Sequence, residues 1–193
     1  SDIPHQPSLS YIGPELYRTG YFAANLVSYL VKKNDSILIV NISKKIETDH
    51  HLLRKEAGFR GYFKEMNLKN EINKIDITKL KYEEIKKGLD GIFAKKKNIR
   101  LIFVTNSRVS YVAHYVKETQ KNVVLLGYDF LQENIKYLEQ EIINFLICQK
   151  PGEQAYKGIM TLYKHIILKL PVEEHIYMPI DVIMKSNYTF YND

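Results

Sequence analysis

Hydrophobic residues follow two alternating rhythms along this chain. Three short runs are apolar at every position: Ile37-Leu38-Ile39-Val40, Leu101-Ile102-Phe103-Val104 and Val123-Val124-Leu125-Leu126. A run without a polar face predicts a strand covered on both sides, as in a parallel sheet held between helix layers. Between the runs, apolar residues recur every three or four positions, the spacing of one helix face. This spacing appears first in Leu16, Ala23, Leu26, Val27, Leu30 and Val31, behind a Gly13-Pro14-Glu15 opening. It returns in Leu52, Phe59, Phe63 and Met66, where Asp49 is the predicted N-cap. Tyr82, Ile85, Leu89, Ile92 and Phe93 form a third face, and Val109, Val112, Ala113 and Val116 a fourth, for which Ser107 is the predicted cap.

The remaining segments fit the same plan. Ile75 and Ile77 alternate with polar residues in a weaker strand, and a short helix over 131–138 precedes a strand over 142–148. Pro151-Gly152 opens a long helix carrying Ala155, Ile159, Leu162 and Ile166, and two extended pieces, 175–178 and 180–184, meet at Pro179. Strand and helix alternating at this pace predict an α/β fold, a three-layer αβα arrangement around a parallel sheet with right-handed crossovers. The apolar runs stop at Asn41, at Asn106 and at Gly127-Tyr128-Asp129. Open parallel sheets hold ligands in the crevice beyond the strand carboxyl ends, where these polar residues are expected to gather.

Composition narrows the class. With 193 residues, 45% hydrophobic and 26% charged, the chain can bury a substantial core and fits neither a disordered nor a membrane protein. Its uninterrupted apolar stretches fall far short of the ~20 residues of a spanning helix. Residues 1–10 lack the basic start and apolar stretch of an export signal, so a cytoplasmic protein without a membrane partner is expected. Cys148 is the only cysteine and sits in an apolar run, which predicts a buried, inert thiol. The net charge of +6 is spread along the chain. Lys86-Lys87 and Lys95-Lys96-Lys97 lie near predicted helix ends, where lysines suit the dipole, so this chain is not expected to touch nucleic acid itself.

The chemistry-bearing residues are few. The chain has no G-x-x-x-x-G-K, G-x-G-x-x-G, G-x-S-x-G or H-E-x-x-H pattern, so neither catalysis nor a cofactor is expected. His50 and His51 are adjacent and diverge by about 100° on a helix, which argues for surface residues over metal ligands. Asp129 follows a glycine-containing strand end; its carboxylate can accept paired hydroxyls of a sugar or polyol, or it can serve a turn. Asn106 has the same two readings, a hydroxyl partner or a strand-end turn. Arg54, Lys55 and Arg60 lie on the helix after the first strand, where at least one can reach the crevice.

Taken together, these segments resemble the effector-binding domain of the LacI (lactose-repressor) family, whose architecture is that of periplasmic sugar-binding proteins. The resemblance is carried by Tyr11-Ile12-Gly13 through Gly20-Tyr21-Phe22-Ala23-Ala24, and by Arg54-Lys55-Glu56-Ala57-Gly58-Phe59. It continues through Leu101 to Asn106, Val123 to Asp129, and Phe145 to Gln149 followed by Pro151-Gly152. It implies the periplasmic-binding-protein-like type I fold, with sugar contacts at Asn106, Asp129 and Gln149 and help from Arg54 and Lys55. The chain departs from the family at Ser107, where an Asp is usual, and at Ile77, the approximate counterpart of an aromatic that stacks on the sugar. The family's domain has two lobes. The resemblance therefore implies a nearly complete second lobe, 13–148 plus 180–193, and a remnant of the first, 1–12 plus 150–179. A DNA-binding head, of the LacI helix-turn-helix or GntR winged-helix kind, is expected outside this chain. The implied protein is a homodimeric transcription regulator in which a small sugar or polyol closes the lobes and alters operator binding. An extracytoplasmic sugar-binding protein or the sensor of a membrane receptor kinase is the alternative, and an α/β enzyme centred on Asp129 a third.

Overall fold

The computed structural model describes residues 8–191. The outermost residues assigned above to the two lobes, 1–7 and 192–193, lie outside the described residues. The main sheet has six strands. They are β2 (Ser36–Ile42), β3 (Ile72–Ile77), β4 (Ile99–Val104), β5 (Val124–Tyr128), β6 (Phe145–Cys148) and β8 (Asp181–Ile183), in the spatial order β3-β2-β4-β5-β6-β8. The first five run parallel; β8 joins the edge antiparallel to β6, a direction the alternation of helix and strand did not foretell. A separate parallel pair is formed by β1 (Tyr11–Gly13) and β7 (His175–Tyr177).

Both faces of the main sheet are covered, which is why its central strands read as unbroken apolar runs. Every residue of β2 is buried. Ile37 and Ile39 point toward α1 (Leu16–Ser28) and α2 (His50–Glu65), where they meet Ala23, Val27, Phe59 and Phe63. Leu38, Val40 and Ile42 point the other way, into a core shared with α3 (Tyr82–Lys95), α4 (Val109–Thr119) and α5 (Gln132–Glu139). Each such side chain, taken fully out of water, contributes about 1.5–3 kcal/mol. This is the expected three-layer αβα arrangement.

Local details refine the sequence reading. The first helix ends at Ser28, so Leu30 and Val31 lie beyond it. Asp49 caps α2 by accepting from the Leu52 N–H. Ser107 does not cap α4: Arg108 holds the N-cap position without a side-chain bond, and the Asn106 Oδ1 accepts the Arg108 N–H at 3.2 Å. The long helix α6 (Pro151–Ile166) buries Thr161 but leaves Ile159, Leu162 and Ile166 exposed.

The order of the parallel strands reverses between β2 and β4, which leaves a crevice beyond their carboxyl ends. Sheet order also makes β4, β5 and β6 consecutive neighbours. With strands about 4.8 Å apart, residues leaving these three ends come within roughly 10 Å of one another.

Candidate functional site

A cavity of about 570 Å³ opens at this edge. The start of α2 supplies Asp49, His51, Leu52 and Lys55, and the β4–α4 loop supplies Asn106, Ser107 and Arg108. Asp129, Phe130 and Leu131 enter from the β5–α5 turn; Cys148, Gln149, Pro151 and Gln154 come from the β6–α6 junction, and Tyr191 from the end of the described chain. Of the five residues singled out in the sequence, Lys55, Asn106, Asp129 and Gln149 share this cavity, and Arg54 does not.

Helix geometry separates Arg54 from Lys55. Leu52, Lys55 and Phe59 lie on one face of α2, and all three are buried. Arg54, about 100° away, is exposed, pairs with Glu15 at 3.6 Å and lies 5.9 Å from the Tyr17 ring centroid. Arg60 is likewise turned aside, to Glu56 at 2.9 Å and the Ile72 carbonyl at 3.2 Å. The turn bearing Lys55 is set by a backbone contact between α1 and α2. A Cβ on Gly20 would lie 1.9 Å from the Lys55 carbonyl oxygen, and one on Gly58 equally close to that of Tyr17. Only glycine permits this approach.

Lys55 is 4% exposed, and its Nζ sits 3.7 Å from the centroid of the Tyr128 ring. Burial lowers its pKa to about 8, against the raising influence of the Asp129 and Asp49 charges. Asp129 is shifted oppositely: burial raises its pKa, while Lys55 and a hydrogen bond from Gln149 Nε2 to Oδ1 at 3.1 Å pull it back. Its backbone is left-handed, with φ of 72°, a conformation that Asp tolerates better than most residues. The fully buried Asn134 of α5 braces this turn, its Nδ2 donating to the carbonyls of Tyr128, Asp129 and Ser107 at 3.0–3.1 Å.

Asn106 lines the cavity, but its amide is engaged within its own loop. Nδ2 donates to the Ile42 carbonyl at 2.7 Å, and Oδ1 takes the Arg108 N–H. The strand-end turn, one of its two readings, describes these bonds. Asn41 does not reach the cavity; it donates to Glu56 and Asp76 and accepts from Thr105, inside the fold. Cys148 is buried. His50 is exposed while His51 lines the cavity, and no group of three or more His, Cys, Asp or Glu among the described residues is arranged to hold a metal.

Sequence reasoning missed Arg108, Phe130, Gln154 and Tyr191. Phe130 and Tyr191 pack with ring centroids 4.7 Å apart and give the cavity an aromatic wall. Ile77, the approximate counterpart of the family's stacking aromatic, is buried in the core. Phe130 follows Asp129 directly, so its neighbourhood was a usable signal. Tyr191, 62 positions from Asp129, offered none.

The sequence pattern of the periplasmic binding protein domain matches residues 1–169. The chain belongs to this family. Its fold is the periplasmic-binding-protein-like type I fold. No curated protein is significantly similar in sequence. Among solved structures, a protein from Bacteroides fragilis classed as a LacI transcriptional regulator is 29% identical with a TM-score of 0.90; the match covers 100% of this chain and 67% of that one. A glucose-galactose binding protein from Geobacillus stearothermophilus is 21% identical with a TM-score of 0.84, over 97% of this chain and 66% of that one. An ABC transporter solute binding protein from Burkholderia graminis, solved with D-arabinose, is 16% identical with a TM-score of 0.87, over 100% of this chain and 68% of that one. The chain thus spans about two thirds of the length of these domains. No described helix is long and apolar enough to cross a membrane.

Proposed function

We propose that this domain binds a sugar or related polyol in the cavity at the strand carboxyl ends, without transforming it, and that it is the ligand-sensing part of a bacterial transcription regulator of the LacI kind. The observation that carries the binding reading is the meeting of Lys55, Asp129 and Gln149 on one open cavity from three separate elements. Asp129 offers carboxylate lone pairs to hydroxyls, Lys55 offers donors, and Phe130 and Tyr191 offer ring surface to the apolar face of a sugar.

The regulator reading draws on the 29% identity to the Bacteroides fragilis protein. On this reading the β1–β7 pair and α6 belong to the first lobe and the six-stranded sheet to the second. Ligand binding between the lobes closes them, shifting a two-state equilibrium that a homodimer in the cytoplasm transmits to a separate DNA-binding head. A melting-temperature screen of the purified protein against neutral sugars, sugar acids and sugar phosphates tests the binding site, since a ligand of the native state raises the melting point by mass action. Operator affinity unchanged by every ligand found in that screen would remove the regulator reading and leave the binding site intact.

The Geobacillus and Burkholderia neighbours favour a second reading, an extracytoplasmic solute-binding protein serving a membrane permease. The gene sequence upstream separates the two: a basic helical head supports the regulator, and a signal peptide the transport protein.

A further inference from the structure

Two cations from different elements, Lys55 and Arg108, line the cavity. Lys55 is buried and lines the cavity, and among the described residues it donates no hydrogen bond and forms no ion pair; its Nζ lies over the Tyr128 ring. Three N–H groups of a desolvated ammonium are thus left for an incoming acceptor. Arg108 adds a second cation on the adjoining wall, with one guanidinium N–H given to the Ile42 carbonyl at 3.2 Å and no carboxylate partner among the described residues.

The two carboxylates of the lining, Asp49 and Asp129, match these cations in number and act on Lys55 through space, but neither hydrogen-bonds to Lys55 or Arg108. Asp49 keeps its charge but turns its oxygens to the fold: one accepts from Ser43 Oγ at 3.0 Å and the other from the Leu52 N–H at 3.4 Å. Asp129 shares one oxygen with Gln149 and has the other for a ligand hydroxyl. Helices α4, α5 and α6 all begin at the cavity without a side-chain cap, which leaves first-turn N–H groups beside the same space, with Glu133 and Glu153 in the first turns of α5 and α6 offsetting part of the positive ends. A cavity for a neutral sugar has no need of a buried cation without a hydrogen-bonded acceptor, because an uncharged hydroxyl compensates the desolvation of an ammonium less well than an anion does.

We propose that the natural ligand is a polyhydroxylated anion, a sugar carrying a carboxylate or a phosphate ester, with the charged group seated between Lys55 and Arg108 and the hydroxyls directed to Asp129. This proposal rests on the binding reading above and specifies its ligand.

The test is calorimetric titration of the purified protein with matched sets: D-glucose, D-glucuronate and D-glucose 6-phosphate; D-galactose and D-galacturonate; D-ribose and D-ribose 5-phosphate. At least one anion is expected to bind about tenfold or more tightly than its neutral parent, as charge-assisted hydrogen bonds imply. The uronates and the phosphates form separate arms that identify the anionic group. Lys55→Met is expected to abolish that margin while retaining the native circular dichroism spectrum, and Arg108→Gln to reduce it. Neutral sugars binding as tightly as their anions would overturn this proposal and leave the sugar-binding reading standing. A preference for anions that survives both substitutions overturns the assigned seat. Failure of every neutral and anionic probe to bind at millimolar concentration overturns the proposal and the sugar-binding reading together.

Discussion

The ammonium of Lys55 lies over the face of Tyr128, 3.7 Å from the ring centroid, in an interior that gives the cation no hydrogen-bond acceptor among the described residues. The ring's negative face offsets only part of the lost hydration. Burial accordingly lowers the Lys55 pKa from 10.5 to about 8. Between pH 8 and 10.5 the unfolded chain carries a proton at this position that the folded protein has shed, so stability rises with pH across that window. Below pH 8 both states are protonated, and the cost, on the order of 3 kcal/mol, is constant. Lys55→Met removes it. The variant is expected to melt higher than the parent near pH 7, with the gap narrowing from pH 8 to pH 10; thermal melts across that range check this, and a constant gap would refute it.

Asp129 carries the complementary expectation. Its pKa is raised by burial, so the ionised carboxylate costs stability at neutral pH, and the cost appears as pH rises through the elevated value. Asp129→Asn keeps the shape and the Gln149 contact while removing the charge. Melting temperature is expected to hold or rise, whereas affinity for a sugar ligand falls about 10- to 100-fold, the range for losing hydrogen bonds to a charged acceptor. Calorimetry on both proteins reads the two effects separately; unchanged affinity would exclude Asp129 from the site.

Neighbouring residues on α2 separate binding from surface chemistry. Arg54 pairs with Glu15 at 3.6 Å from an exposed position, and such a pair contributes about 0–1 kcal/mol. Arg54→Ala is expected to leave ligand affinity within twofold of the parent, where Lys55→Ala reduces it by about tenfold or more. Equal losses in the two titrations would show that the assignment of the inward side chain is mistaken.

The contrast between these two neighbours shows how far the sequence is legible. The unbroken apolar runs announced a doubly covered parallel sheet because its strands have no solvated face, and polar residues at the strand ends marked the crevice. Periodicity also distinguishes Lys55 from Arg54, since Lys55 shares the stripe of Leu52 and Phe59. The antiparallel direction of β8 left no trace, because a three-residue strand is too short to carry a pattern. The engagement of Asn106 with Ile42 and Arg108 was equally hidden: a side-chain amide that caps a turn and one that meets a ligand are the same letters. Tyr191 reaches the cavity through tertiary folding alone.

The α1–α2 contact makes a paired test. A Cβ at Gly20 would sit 1.9 Å from the Lys55 carbonyl oxygen, inside backbone that cannot give way without separating the helices. Gly20→Ala is expected to cost about 1–3 kcal/mol or more and to weaken ligand binding by displacing the turn that carries Lys55. Gly158, within α6, has nothing within 4 Å of the same added atom. There the substitution restores helix propensity and is expected to gain about 0.5–1 kcal/mol. Denaturant titration of both variants decides the matter, and a tolerated alanine at Gly20 would refute the close approach.

Asn134 is the least conspicuous residue on which the site depends. It contacts no solvent, yet its amide donates to the carbonyls of Tyr128 and Asp129 on one turn and of Ser107 on the next. It therefore ties the loop after β4 to the loop after β5, and it braces Asp129 in a left-handed conformation that costs about 1–3 kcal/mol where nothing sustains it. Asn134→Leu keeps the volume and strips the donors, leaving buried carbonyls unsatisfied at about 1–3 kcal/mol. Lost stability alone would accompany any core defect. The bracing role predicts more: at temperatures where the variant is still fully folded, affinity for ligand falls, and hydrogen exchange accelerates at the amide of Asp129, which donates to the Ile147 carbonyl at 3.0 Å. A variant that melts earlier but binds and exchanges like its parent would reduce Asn134 to ordinary packing.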